Sequence, residues 1–433
     1  MTVVQPSVKL PGPDDVTRTT LPNGMTLLVR ENWANPSVVV NGVLRGGSAN
    51  ETREQAGLAQ FTAALLTRGT TSRSFEDIAE TVESVGASIG VGSGVYLSTF
   101  GGKCLHEDLP TLLTLLGEVL QSPSFPSEQV ERVRGQILNG IRQRETSTSA
   151  VARLAFWSTL YPPHHPFAWP LSGTHETIAA LTRDDIARFY ADYYTPQGSL
   201  LIVVGAVHTP DLVRLAESTL GAWQASPRFP PPPAPWEATD NLVTLGEVRR
   251  ETRSLPGKTQ SDLVLGLPGL SRRHPDYLAL AMMNSVLGEL GPGGRLGTRI
   301  RENEGLAYYA RSSLDAGLSA GPWYAYAGVN PRHVERAVDL IVEEMRRVRE
   351  TLIDERELAD VKAYWVGSLP LDVETNEGVA SELRNMELYN LGLDYLYRYP
   401  GLVNAISVEN VQAVAQRWLT PDAYVLTVAG PES

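Results

Sequence analysis

The chain repeats itself, and this constrains its fold more than any other feature. Tyr194-Thr195-Pro196-Gln197-Gly198-Ser199 leads into the apolar run Leu200–Gly205. Leu419-Thr420-Pro421-Asp422-Ala423-Tyr424 leads in the same way into Val425–Gly430. Before each lies a helical stretch of one type, Thr182-Arg183-Asp184-Asp185-Ile186 and Ser407-Val408-Glu409-Asn410-Val411. Both open on a hydroxyl residue able to cap the first turn, where the helix dipole also favours acids. A repeat of this length means two like halves.

The junction is marked by composition. Ser226 to Pro235 contains Pro230-Pro231-Pro232-Pro233. Proline lacks an amide hydrogen and stiffens the chain, so this stretch is extended and joins neither helix nor central strand. The expected organisation is an N-terminal domain over 1–224, a linker over 225–245 and a C-terminal domain over 246–433. A length of 433 residues also exceeds one ordinary core.

Period-2 alternation and β-branched content predict strands over Met25–Glu31, Ser37–Leu44, Ala87–Val91 and Val95–Cys104. Apolar spacing predicts helices over Phe75–Val85, Glu107–Leu120 and Ser127–Arg144. The second half offers strands near Asp262–Gly266 and Trp323–Val329, and helices near Tyr277–Leu287 and Val334–Arg349. The fold class is therefore α+β: two related sandwich domains, each a mostly antiparallel sheet with helices packed on one side.

A composition of 42% hydrophobic and 20% charged residues describes a soluble globular protein. A net charge of -12 argues against nucleic acid or an anionic membrane as partner. The single cysteine, Cys104, excludes an internal disulfide and a thiolate metal cluster. With no secretory-type leader and no bilayer-length apolar run, the expected location is cytoplasmic.

Gly57 to Leu66 reads Gly-Leu-Ala-Gln-Phe-Thr-Ala-Ala-Leu-Leu. A zinc-peptidase helix needs imidazoles at i and i+4 and a carboxylate at i+3 as general base. Those positions hold Gln60, Ala63 and Ala64. An amide is a poor zinc ligand and a methyl group is none. Read alone, the segment is also an ordinary amphipathic helix with Leu58, Phe61 and Leu65 inward.

Its surroundings carry more. Leu21-Pro22-Asn23-Gly24-Met25-Thr26-Leu27-Leu28-Val29 and Val43-Leu44-Arg45-Gly46-Gly47-Ser48-Ala49-Asn50-Glu51, with the helix after them, resemble the opening of the insulinase-like (pitrilysin) family. Members carry His-x-x-Glu-His where this chain has Gln60 to Ala64. Their third zinc ligand is a glutamate on a later helix, matched here within Glu131–Arg142 by Gly140. The resemblance thus implies that every metal-site residue is missing, and that this chain holds no metal or other cofactor. The histidines offer no replacement: His164 and His165 are adjacent and diverge, His175 precedes a helix, and His106, His208, His274 and His333 are scattered.

The stretch Gly293 to Tyr309 is the most family-like. It resembles the segment in which active members carry an arginine and a tyrosine that face the zinc and bind the substrate main chain. The pair falls on Arg301 and Tyr308. An arginine offers fixed donors to a peptide carbonyl, and a phenol can hydrogen-bond a developing oxyanion. Arg301 should end a helix and Tyr308 should begin a strand after a turn at Gly305, with Tyr309 on the opposite face. The bland reading is a solvated arginine and a sheet tyrosine. Gly288, Gly291, Gly293 and Gly294 precede this helix. No Gly-Lys-Ser/Thr follows, so they make no phosphate cradle. They are similar to the glycine-rich substrate loop of the non-catalytic subunit of mitochondrial processing peptidase, which implies substrate binding by Gly293 and Gly294. The alternative is a loop that needs positive φ.

Three readings follow. The leading one is the non-catalytic, substrate-binding subunit of a heterodimeric zinc peptidase. Arg301 and Tyr308 would complete the site of a homologous partner that carries the zinc, and the substrates would be unfolded peptides. The others are a structural subunit like the core subunits of respiratory complexes, and a homodimer that captures peptides without cutting them.

Overall fold

The computed structural model describes residues 9–224, 243–290 and 293–432. Most of the expected linker, 225–242, and Gly291 lie outside the described residues.

In chain order the first half opens with β1 (Thr17–Thr20), β2 (Thr26–Glu31), β3 (Ser37–Leu44), α1 (Leu58–Leu65) and α2 (Phe75–Glu83). Next come β4 (Ser88–Ser93), β5 (Ser98–Leu105), α3 (Leu109–Gln121), α4 (Ser127–Glu145) and α5 (Thr148–Leu160). It closes with α6 (His175–Ala180), α7 (Arg183–Tyr193), β6 (Leu200–Gly205) and α8 (Thr209–Leu220). The second half runs β7 (Arg249–Ser254), β8 (Ser261–Pro268), α9 (Tyr277–Asn284), β9 (Ala307–Leu314), β10 (Pro322–Val329) and α10 (Val334–Glu350). It ends with α11 (Glu355–Asp372), α12 (Asn376–Leu388), α13 (Tyr395–Asn404), α14 (Val408–Trp418) and β11 (Val425–Gly430). Between α9 and β9 the chain winds into two wide, π-type turns, Ser285–Glu289 and Gly297–Asn303.

The repeat is visible in the pairing. The first sheet has the order β1-β2-β6-β3-β5-β4 and the second β7-β11-β8-β10-β9. With β1 set aside, the two orders are the same. The repeated runs, β6 and β11, take equivalent central places. Each pairs parallel with the first strand of its half and antiparallel with the next. The expected caps are in place too: the Asp185 N–H donates to Thr182 Oγ1 at 3.2 Å and the Asn410 N–H to Ser407 Oγ at 3.3 Å.

Alternation along the second sheet sends side chains into two separate cores. Leu263, Leu265, Ala325, Ala327, Leu426 and Val428 bury against α9, α10 and α14. Val264, Tyr324, Val425 and Ala429 point the other way and bury against Ala152, Phe156 and Leu160 of α5. The α+β class stands, but the expectation of helices on one side needs correction, because α5 covers part of the opposite face. Gly266 leaves the notch that admits Phe156, since a Cβ there would lie 2.6 Å from its ring. Burial of a side chain such as fully covered Phe156 contributes about 1.5–3 kcal/mol. The Thr427 hydroxyl adds a hydrogen bond to the Ala152 carbonyl at 2.7 Å.

Packing adds what contiguous halves do not show. One compact unit takes the chain up to Asn139, then Leu171 onward to the proline-rich segment, then Ser368–Arg398. The other takes Gly140–Pro170, the stretch from that segment to Gly367, and Tyr399 onward. Each unit therefore borrows a helix from the other half of the sequence. The first sheet receives α12, whose Asn376 side-chain amide donates to the Ser37 carbonyl at 3.1 Å.

Candidate functional site

Helix α1 starts where Glu51 places its carboxylate under the first turn. It accepts from the Gly57 N–H at 3.0 Å and from the Ala59 N–H. These are amides with no partner inside the helix, so the acid acts as a cap. Burial pushes the Glu51 carboxyl up to about 8, against the pull of both amides. The face that would carry zinc ligands holds Gln60 and Ala64, both half-buried, with Ala63 buried beside them. The Gln60 Oε1 is buried without a hydrogen-bond partner among the described residues. Gly140 lies exposed on α4, with open space where a side chain would project. An amide, two methyl groups and a hydrogen do not make a zinc donor set. Among the described residues, no group of three or more His, Cys, Asp or Glu side chains is placed to hold a metal ion. Cys104 is buried, and burial together with Asp108 pushes its thiol up to about 12, so it stays protonated.

The Arg301 and Tyr308 segment is held from behind. Arg295 pairs with Glu357 at 2.7 Å, and Arg299 pairs with Glu343 and buried Glu344. These ion pairs pin the π-type turn Gly297–Asn303, a form often found at functional sites. Arg301 lies off that anchored face and is exposed. The turn closes when the Leu306 N–H donates to the Ile300 carbonyl at 3.0 Å, with Gly305 at φ +64° in the left-handed region. The end of the helix is thereby tied to the start of β9. Tyr308 is 77% exposed there. Neither Arg301 nor Tyr308 makes a hydrogen bond or ion pair with another described residue. Gly293 is exposed, whereas Gly294 is buried, and a Cβ on it would lie 2.7 Å from the Gly288 Cα. Gly288 and Gly294 both avoid positive φ. Close packing at Gly288 and Gly294, not left-handed backbone, is therefore what excludes a side chain there.

Tyr309 diverges from Tyr308, as strand alternation requires. Its hydroxyl donates to Oδ1 of Asp262, which is 3% exposed. The two residues sit on outer strands of a triplet with Gly328 between them, since Gly328 opposes Asp262 on one side and Tyr309 on the other. A Cβ on Gly328 would lie 2.7 Å from the Tyr309 ring. The missing side chain lets the phenol reach across. The next rows of the same face are Val264–Tyr326–Arg311 and Gly266–Tyr324–Ser313. Asp262, Arg311 and the three tyrosines of this face, with Ser149 and Arg153 of α5, line a cavity of about 470 Å³. The sequence reading did not single out this recess. Its only trace is the alternation of Tyr309 with Arg311 and of Tyr324 with Tyr326, which shows a shared face but not what stands opposite.

Residues 27–168 match the family model described as Insulinase (Peptidase family M16), and residues 180–364 match that described as the Peptidase M16 inactive domain. The chain is similar to an uncharacterized zinc protease of Bacillus subtilis (strain 168), 24% identical, over 96% of this chain and 98% of that one. It is likewise similar to an uncharacterized zinc protease of Mycobacterium leprae (strain TN), 29% identical over 96% and 92%. A probable mitochondrial-processing peptidase subunit beta of Schizosaccharomyces pombe is 25% identical over 84% and 80%. Among solved structures, a peptidase M16 inactive domain from Pseudomonas fluorescens superposes with a TM-score of 0.88 at 24% identity, over 96% of this chain and 98% of that one.

Proposed function

Since the chain belongs to the insulinase family of peptidases (M16), we propose that it is the non-catalytic, substrate-binding subunit of a heterodimeric zinc peptidase. A homologous partner supplies the zinc, its ligands and the general base. Arg301 and Tyr308 of this chain complete that site in trans, the arginine on a substrate carbonyl and the phenol on the oxyanion formed as water attacks. Gly293, exposed beside the segment, lets the backbone of an unfolded peptide approach.

One observation carries the reading. Arg301 and Tyr308 are exposed, and unpartnered among the described residues, on a segment anchored by partly buried ion pairs, while Gln60, Ala63, Ala64 and Gly140 offer no imidazole or carboxylate. Two arginines spent on structure and one left outward is economical for a surface that meets a substrate. The likeness to a processing-peptidase subunit supports a two-chain assembly. A structural subunit or a peptide-capturing homodimer would have no need of the oxyanion donor.

The test is co-expression with a homologue carrying His-x-x-Glu-His from the same organism. R301A should lower turnover of the complex 100-fold or more, the scale of losing one transition-state donor. Assembly and zinc content should not change. Loss of assembly in R301A, or unchanged turnover, would refute the assignment.

A further inference from the structure

The cavity on the α5 side of the second sheet is lined by two arginines that no described acid holds in an ion pair. Asp262, at its base, spends both oxygens on neutral donors. Tyr309 and Gln260 donate to Oδ1, and Thr148, at 2.5 Å, and Gln260 donate to Oδ2. Asp315, next to the cavity, accepts from the Ser313 hydroxyl at 2.9 Å and from the Tyr324 hydroxyl at 3.3 Å. Neither acid is hydrogen-bonded to a described guanidinium, although the charge of Arg153 acts on Asp315. Arg153 and Arg311 line the cavity, are exposed, and make no hydrogen bond or ion pair with another described residue. Two planar forks of N–H donors thus stand over one recess whose lining acid, Asp262, is taken up by neutral donors.

The charge balance selects the anion. Two guanidiniums face a recess with Asp262 at its base and Asp315 beside it, so the charges already balance and one added negative charge is better tolerated than two. A dianionic phosphate would add two charges next to buried Asp262 and exposed Asp315. The rings of Tyr309, Tyr324 and Tyr326 form an apolar wall with polar tips, suited to a side chain attached to that anion. The volume of about 470 Å³ lies within the range of small-ligand sites.

We propose that this cavity binds a peptide carboxylate, the C-terminal residue of a chain, with the carboxylate between Arg153 and Arg311 and the side chain among the three tyrosines. The inference rests on the peptide-binding reading above, and names the part of the peptide that the second unit holds.

The full-length chain is titrated into two N-terminally labelled hexapeptides ending in phenylalanine, one a free acid and one an amide, and binding is followed by fluorescence anisotropy. The free acid should bind at least 10-fold more tightly. R153Q/R311Q, at two exposed positions, should keep the wild-type melting temperature and erase the preference. Equal affinity for acid and amide, or a preference that survives in R153Q/R311Q, overturns the carboxylate site and leaves the peptide-binding reading intact. Inorganic phosphate competing at lower concentration than acetate overturns the match to a single charge. Failure of both peptides to bind overturns this site and the peptide-binding reading together.

Discussion

Adjacent tyrosines should separate structure from function when each is changed to phenylalanine. Y309F keeps the ring and removes one O–H donor to a carboxylate that is 3% exposed. A hydrogen bond to a charged group contributes roughly 1.5–3 kcal/mol. The Gln260 amide already donates to Oδ1, but at 3.3 Å and shared with Oδ2 it is a weak bond that does not replace the phenol. A loss of about 2 kcal/mol is expected. With a urea slope of about 2 kcal/mol/M, the midpoint falls by roughly 1 M. Tryptophan fluorescence is the probe, because Trp157, Trp323, Trp365 and Trp418 all lie in the unit that holds Tyr309. Y308F removes a hydroxyl with no partner among the described residues and should stay within about 0.5 kcal/mol of wild type. In the two-chain complex the order reverses: Y308F lowers turnover, while Y309F keeps it under conditions where the chain is folded. G328A tests the same contact from its other side. Its Cβ would crowd the Tyr309 ring at 2.7 Å and the Gln260 amide at 2.5 Å. Its cost should overlap that of Y309F instead of adding to it, because both break one interaction. A Y309F midpoint equal to wild type would refute the reasoning.

Stability should depend on pH through two buried groups of opposite sign. Glu51 has its carboxyl raised to about 8 in the fold, so the native state holds a proton that the unfolded chain releases near 4.5. Stability then falls as pH rises through this window, by up to about 1.4 kcal/mol per unit. Burial lowers His165 to about 4, so the unfolded chain takes its proton first and stability falls as pH drops from about 6.5. The two oppose each other between about 4.5 and 6.5, and Glu51 acts alone above that. Thermal melts from pH 6.5 to 8 should show a decline that E51Q removes, and a decline equal in E51Q and wild type would exclude Glu51 as its source. EDTA should leave the melting temperature of the isolated chain unchanged, and plasma mass spectrometry after zinc dialysis should find well under one zinc per chain. Stoichiometric zinc would overturn the donor-set argument at Gln60, Ala63, Ala64 and Gly140.

Local chemistry made much of the fold readable. The caps at Thr182 and Ser407, the strand Ser37–Leu44 and the helix start at Ser127 need only a residue and its neighbours. Apolar spacing stops being informative where a helix is apolar on two sides or weakly patterned. That is why apolar spacing does not predict α5, α11 and α12, although α5 supplies three of the nine buried side chains of one core. The edge strand β7, Arg-Arg-Glu-Thr-Arg-Ser, lacks apolar alternation altogether, and its place comes from parallel pairing with β11. In the helix ahead of β9, periodicity does not distinguish α-type from π-type turns, because the difference lies in which carbonyl each N–H reaches.

By itself the sequence determined that there are two like halves, that they carry sheets of one design, and that Gln60, Ala63, Ala64 and Gly140 offer neither imidazole nor carboxylate. Each of these depends on residue identity or on a period along the chain. Only the tertiary structure decided that α5 packs on the second sheet, that Tyr309 reaches Asp262 over Gly328, and that Arg153 and Arg311 share one cavity. Alternation tells which face a side chain takes, but its partner comes from strand register and from a helix more than a hundred residues away, set by the packing of the whole unit.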